Sequence, residues 1–269
     1  MIKQIFQTAN SAIEKASRLI LNAHCLPKIT EFKGKTDLVT ETDKKSESII
    51  IEEIQKHFTD HNIIAEESGI INNKSEYKWI IDPLDGTTNF VHGYPSFGIS
   101  IGIVHNDEII CGIVKELPAN NTYSAIRGKG AFCNGKQINV SNVKSLSESL
   151  LVTGFGYEHG NKWSANMELF KQLTDKTQGV RRLGAAAIDL CHVATGKVEG
   201  YWEFDIKPWD ISAGILIVQE AGGLVTKMDG TDYSIDRPQL LATNGLIHDE
   251  MLKFINPVIN NLKSNNIEL

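Results

Sequence analysis

The chain is predicted to fold in the α+β class, and three features of its 269 residues carry that expectation. Helical periodicity opens the chain, consecutive strand-like segments fill its middle, and helix and strand patterns alternate towards its end. Helices followed by a run of strands argue for helices layered on antiparallel sheet rather than for a doubly wound parallel sheet.

Ile5, Phe6, Ala9, Ile13, Ala16, Leu19 and Ile20 recur at three- and four-residue spacing, which predicts an amphipathic helix over residues 3–24. A second helix is expected after Thr42, with Ile49, Ile50, Ile54 and Phe58 as its buried stripe. Lys78-Trp79-Ile80-Ile81 reads as a short strand that ends in Asp82-Pro83. Residues 97–104 and 109–117 flank His105-Asn106-Asp107-Glu108 and predict a hairpin. Residues 122–125 and 131–133, on either side of Arg127-Gly128-Lys129-Gly130, extend it into a meander. Beyond the polar stretch 140–149, residues 163–173 read as helix, 179–182 as extended, 185–194 as helix and 201–204 as strand. Residues 208–221 form a helix with proline in its first turn and Gly222-Gly223 past its end, followed by a strand over 224–228. A boundary near 142–150 divides the chain into an N-terminal unit, 1–145, and a C-terminal unit, 146–269, that share one cleft.

Twenty-seven basic and 33 acidic side chains leave a net charge of −6, which argues against a broad grip on nucleic acid. A small anion is not excluded, because a metal ion or a helix start supplies positive field locally. No apolar run approaches the ~20 residues needed to cross a bilayer. The first twenty residues lack the apolar stretch and cleavage site of a secretory signal, so a cytoplasmic protein is expected. Cys25, Cys111, Cys133 and Cys191 form no CxxC pair and read as reduced thiols rather than metal ligands.

The most informative stretch is Asp82-Pro83-Leu84-Asp85-Gly86-Thr87-Thr88-Asn89. Two carboxylates at a strand end converge readily on a hard cation, which wants oxygen ligands. Backbone amides at the Gly-Thr-Thr helix start suit a phosphate. Together these are parts for metal-assisted phosphoryl hydrolysis. Taken alone, a DPxDG segment is more often a turn. That reading weakens because Glu66-Glu67 ends another apolar run, where adjacent side chains point to opposite faces and one glutamate faces the site. Asp210, in the first turn of a predicted helix, has an ordinary role against the helix dipole. Composition alone does not single out Glu66 or Asp210 as a ligand.

WIIDPLDGTTNFVHGYPSFGISIGI (79–103) and KPWDISAGILIVQEAGG (207–223) resemble the two signature motifs of the inositol monophosphatase family. DLVTETD (37–43), AEESG (65–69), RGKGAFCNG (127–135), GVRRLGAAAIDL (179–190) and EGYWEFDIKPWD (199–210) resemble further family segments in the expected order. The resemblance implies a layered αβαβα sandwich of the inositol monophosphatase and fructose-1,6-bisphosphatase type. It also implies a Mg²⁺-dependent, Li⁺-sensitive phosphatase with two to three ions in each site. By that resemblance Glu66, Asp82 and the Leu84 carbonyl hold one ion. Asp82, Asp85 and Asp210 hold a second, and Glu66 with water holds a weaker third. Gly86 and Thr87 receive the phosphate. Thr87, Asp43 and Glu66 take the proton from the attacking water, which a metal ion activates. Asp85, Glu203, Asp210 and the backbone around Gly184, Ala185 and Ala186 bind the polyol, with Glu66 and Leu84 also bordering the substrate.

Lys33 and Lys35 both lie near the family's loop lysine, and neither is assigned to the site. His92 has no ligand partners at useful spacing, and Trp79, Trp202 and Trp209 read as core or site walls. Arg181-Arg182 is too short for a nucleic-acid patch. The expected reaction is hydrolysis of myo-inositol 1-phosphate, a small phosphorylated polyol, by a homodimer. The alternatives are fructose-1,6-bisphosphatase, 3′(2′),5′-bisphosphate nucleotidase or histidinol phosphatase activity on the same site. A regulatory, partner-binding protein on the same fold is the non-enzymatic alternative.

Overall fold

A computed structural model describes residues 1–24, 26, 30–32, 38–235 and 239–267. Cys25, Lys33 and Lys35 lie outside the described residues. In chain order the first elements are α1 (Ile2–His24), β1 (Thr30–Phe32), β2 (Leu38–Thr40), α2 (Glu41–Gln55), β3 (Asn62–Ala65) and β4 (Gly69–Ile71). Next come β5 (Tyr77–Asp85), α3 (Thr87–His92), β6 (Gly98–His105), β7 (Glu108–Glu116), β8 (Asn121–Ile126), β9 (Ala131–Cys133) and β10 (Lys136–Ile138). After a 3₁₀ turn follow β11 (Leu150–Thr153), α4 (Asn161–Thr174), β12 (Gly179–Arg181), α5 (Ala186–Ala194) and β13 (Gly200–Phe204). The chain continues through α6 (Pro208–Glu220), β14 (Leu224–Thr226), β15 (Gln239–Thr243) and α7 (His248–Ser264).

Alternation of apolar side chains along the strands builds five layers. In β5, Trp79 and Ile81 face α1 and α2, where they pack with Ile5, Ile13, Ile50 and Ile54. Ile80 between them faces α5 and α6 and packs in the cluster holding Ile188, Leu190, Ile211 and Ile215. The same period of two organises the second sheet. There Val152, Tyr201 and Leu240 face α5 and α6. Leu151, Trp202 and Leu241 face α4 and α7. The order is therefore α1–α2, an eight-stranded sheet β10-β9-β8-β7-β6-β5-β3-β4, α5–α6, a five-stranded sheet β12-β11-β13-β15-β14, and α4–α7. This is the layered αβαβα arrangement expected. The eight-stranded sheet ends by residue 138 and the five-stranded sheet begins at residue 150.

The predicted hairpin is β6–β7, with Asn106 and Asp107 at φ of 50° and 62°. Two successive positive φ values match the twist of the strands, and Asn and Asp tolerate them. Two expectations shift, and several elements were not expected. The second helix starts at Glu41 rather than after Thr42, because Thr40 is the cap and exchanges bonds with Asp43. The strand expected to stop at Asp82 continues to Asp85, with its register to β6 broken between those two residues. Short apolar runs at β11 and β15 are buried on both faces, so they carry no alternation to read. The C-terminal helix α7 contains Pro257, which removes the usual helix signal.

α6 lies unusually close to the eight-stranded sheet. Gly102 and Gly112 face each other across β6 and β7. A Cβ on Gly102 would come within 2.3 Å of Ser212 Oγ, and one on Gly112 within 2.7 Å of the Ala213 carbonyl oxygen. The glycine pair thus sets the height of the helix whose first turn carries Asp210. Gly112→Val forces the helix off the sheet and is expected to destabilise the fold by about 2–3 kcal/mol. Urea unfolding monitored by tryptophan fluorescence reads that loss directly, and an unchanged midpoint would contradict the close-packing argument.

Candidate active site

The C-terminal end of β5, the start of α3, the N-termini of α5 and α6, and the end of β13 meet around one cleft of about 450 Å³. Glu66, Asp82, Leu84, Asp85, Gly86, Thr87, Gly184, Ala185, Ala186, Glu203 and Asp210 all line it. Glu67 does not line it. Its N–H and that of Ser68 donate to the two oxygens of Glu47, each at 2.8 Å, which fixes the turn after β3. Asp43 stands behind the wall and reaches the cleft through Thr87, whose Oγ1 lies 2.8 Å from Asp43 Oδ1 and 3.0 Å from the Leu84 carbonyl oxygen.

Each functional side chain is placed by local chemistry. Gly86 takes φ of +82°, and a Cβ there would lie 2.8 Å from the Ser96 carbonyl oxygen, so both conformation and space require glycine. The Leu84 side chain is in the core while its carbonyl turns to Thr87. Asp85 accepts from the N–H groups of Ala186 at 3.1 Å and Ala187 at 2.9 Å, at the start of α5. The Ala186 amide is thus committed to Asp85. Asp210 Oδ2 accepts from the Lys207 N–H at 2.8 Å, closing the first turn of α6. Asp43 Oδ2 accepts from the Thr40 N–H at 2.9 Å and from the Thr40 hydroxyl.

Burial of this many carboxylates is the dominant electrostatic fact. Asp82 is held well above the usual carboxylate range by burial, then by the charges of Glu66, Asp85 and Asp210, with only the Leu84 N–H opposing. Burial pushes Asp85 up to about 7 against the pull of the amides at the start of α5. Asp210 is raised by burial and then by Glu66. Asp43 is raised by burial, against hydrogen bonds from Thr40 and Thr87. Glu203 rises to about 7 through burial, opposed by the Tyr201 hydroxyl and the Arg182 charge. Such a like-charge cluster is costly unless neutralised. Oxygen donors that repel one another fit a hard divalent cation such as Mg²⁺. Among the described residues no three His, Cys, Asp or Glu side chains converge into a finished metal cluster, so the fit is one of donor type and electrostatics.

Several residues of the wall were not expected there from the sequence, the charged Asp189 and Arg182 among them. Asp189 on α5 is 1% exposed, is raised by burial and by the charges of Asp85 and Glu203, and has an Oδ1 without a hydrogen-bond partner. Arg182 also lines the cleft. In the sequence the one signal that could have marked Asp189 is a lone acid in a mostly apolar helix.

A layered chain that gathers buried carboxylates beside a Gly-Thr helix start is a phosphatase of the metal-dependent kind. The chain belongs to the inositol monophosphatase family, whose family model matches residues 1–263. It is 48% identical over 271 residues to the chloroplastic phosphatase IMPL1 of Arabidopsis thaliana, covering 98% of this chain and 73% of that protein. It is 41% identical to a putative Nus factor SuhB of Neisseria meningitidis serogroup B, covering 92% of this chain and 96% of that one. Among solved structures, the inositol monophosphatase of Anabaena superposes with a TM-score of 0.86 at 41% identity, over 95% of this chain and 96% of that one.

Proposed function

We propose that this protein is a Mg²⁺-dependent phosphomonoesterase that hydrolyses myo-inositol 1-phosphate to inositol and phosphate. The observation that carries the reading is the gathering of Glu66, Asp82, Asp85 and Asp210 in one cleft beside Gly86 and Thr87. Glu66, Asp82 and the Leu84 carbonyl would hold one ion; Asp82, Asp85 and Asp210 would hold a second, with Glu66 bordering a third. When bound, Mg²⁺ supplies Lewis acidity towards the phosphoryl group and lowers the pKa of a neighbouring water.

The protein's own residues supply orientation and proton transfer. Gly86 and Thr87 receive the phosphate at the start of α3. Thr87 Oγ1 accepts the proton of the attacking water as it hands its own to Asp43 Oδ1, 2.8 Å away. The raised pKa of Asp43 makes it a willing acceptor, and Glu66 borders the same space. Asp85, Glu203 and Asp210, with the backbone at Gly184 and Ala185, meet the polyol hydroxyls, whose donors suit carboxylate acceptors, while Ala186 borders them with its N–H already given to Asp85.

No helix among the described residues is long and apolar enough to cross a membrane. A cytoplasmic homodimer inhibited by Li⁺ completes the proposal, with 1–145 and 146–269 as its two structural units. A second reading, binding of a macromolecular partner on the same fold, is favoured by the 41% identity to a protein named as a putative Nus factor.

Phosphate release is the test, from myo-inositol 1-phosphate, fructose 1,6-bisphosphate, adenosine 3′,5′-bisphosphate and histidinol phosphate, each with and without Mg²⁺. The inositol ester is expected to be turned over fastest and only with Mg²⁺. Preference for another ester keeps the metal site and replaces the substrate. Silence on all four shifts the weight to partner binding.

A further inference from the structure

Glu203 rests in a seat made by residues outside the proposed ligand set. Tyr201 and Glu203 are two residues apart on β13 and so share a face, the one turned to α5 and α6. The Tyr201 hydroxyl, on a fully buried side chain, donates a short hydrogen bond to Glu203 Oε2. Gly154 follows the last residue of β11 and lies under the same carboxylate. A Cβ on Gly154 would fall within 2.4 Å of all three atoms of the Glu203 carboxyl group, Cδ, Oε1 and Oε2. Gly154 does not adopt a left-handed backbone, so space rather than conformation demands glycine here. The Glu203 carboxylate occupies the volume that any larger residue at position 154 would fill.

The seat is anchored from the far layer. Asn166 on α4 is 2% exposed, and its Nδ2 donates to the Gly154 carbonyl oxygen at 2.6 Å. Thr153 Oγ1 donates to the Trp202 carbonyl oxygen at 2.6 Å, locking β11 to β13 beside the carboxylate. A glutamate free on the cleft surface samples many rotamers, and holding one of them removes an ordering cost from binding. Tyr201 fills one acceptor site on Oε2, and the remaining lone pairs of the carboxylate are left to accept from a substrate hydroxyl.

We propose that Tyr201 and Gly154 are positioning residues that set the preference of this site for phosphate esters carrying ring hydroxyls, by pinning Glu203 as a hydroxyl acceptor. The inference rests on the reading that Glu203 meets the substrate. Neither residue is among those proposed to receive the phosphate or to carry the proton, so their effect falls on discrimination between alcohols.

The test compares myo-inositol 1-phosphate with p-nitrophenyl phosphate, an ester without ring hydroxyls, in the full-length protein with Mg²⁺. Tyr201→Phe removes one oxygen atom and is expected to lower the ratio of kcat/KM values, inositol ester over aryl ester, by about tenfold, mainly through KM. In a Glu203→Gln background the same change is expected to shift that ratio less than twofold, because the pinned group is already altered. Gly154→Ala is expected to act in the same direction, with thermal unfolding run alongside to confirm a folded protein. Equal losses on both esters, or full additivity of Tyr201→Phe with Glu203→Gln, overturn the positioning role. A wild type that shows no preference for the inositol ester overturns instead the substrate reading beneath it, so the two failures are distinct.

Discussion

Asp82→Asn is expected to fold as the wild type does and to lose at least about a thousandfold of its phosphate-release activity at saturating Mg²⁺. Asp82 is 2% exposed, and the charges of Glu66, Asp85 and Asp210 all bear on it. It is the proposed ligand common to two ions. Replacing it with the isosteric amide removes one negative charge from a crowded, poorly solvated cluster. The Mg²⁺-free protein should therefore be at least as resistant to heat as wild type, while the rise in Tm on adding Mg²⁺ should shrink. Opposite changes in these two readouts separate a lost ligand from a damaged fold. Activity within tenfold of wild type would remove Asp82 from the machinery.

Thr87→Val is expected to cost about a hundredfold in kcat, within the range for removing a positioned proton carrier. The valine keeps the shape but deletes the Oγ1 that stands between Asp43 and the Leu84 carbonyl. Asp43→Asn should show a similar loss in kcat, with one added consequence. Asp43 also closes the capping box of α2 through Thr40, so this variant alone should lose about 1 kcal/mol of stability. Denaturant midpoints measured beside kcat distinguish the two variants. A Thr87→Val enzyme with normal kcat would break the proposed proton route, and matched stability losses in both would place Thr87 in the cap rather than in the chemistry.

Much of the cleft was legible before any packing was known, for a local reason. Asp82, Asp85, Gly86 and Thr87 lie within six residues, and a strand end, a turn and a helix start are short-range structures; Leu84, Glu66, Glu203 and Asp210 were reached only through the family resemblance. The β6–β7 turn and the Pro208 helix start were readable on the same grounds. Residues such as Asp189, Tyr201 and Gly154 were not. Asp189 lies in a mostly apolar helix that also holds His192, and nothing in its neighbours shows that the helix borders a cleft. Tyr201 alternates with Trp202 as any core strand would, and Gly154 looks like a simple loop glycine. Their meaning comes from what lies across the sheet. Strands β11 and β15 were missed because burial on both faces erases the alternation that marks a strand.

By itself the sequence determined the type of most of the longer elements, the acidic turn at the end of β5, the hairpin and the resemblance to a phosphatase family. It did so because backbone preference and side-chain period act over a few residues. The tertiary structure alone decided that Asp85 would seat its carboxylate on amides 101 and 102 residues away. It also set α6 close over Gly102 and Gly112, which carries Asp210 to the cleft, and pressed Glu203 against Gly154. Those contacts join distant segments through close packing, whose outcome depends on the fit of whole layers rather than on any one segment's pattern.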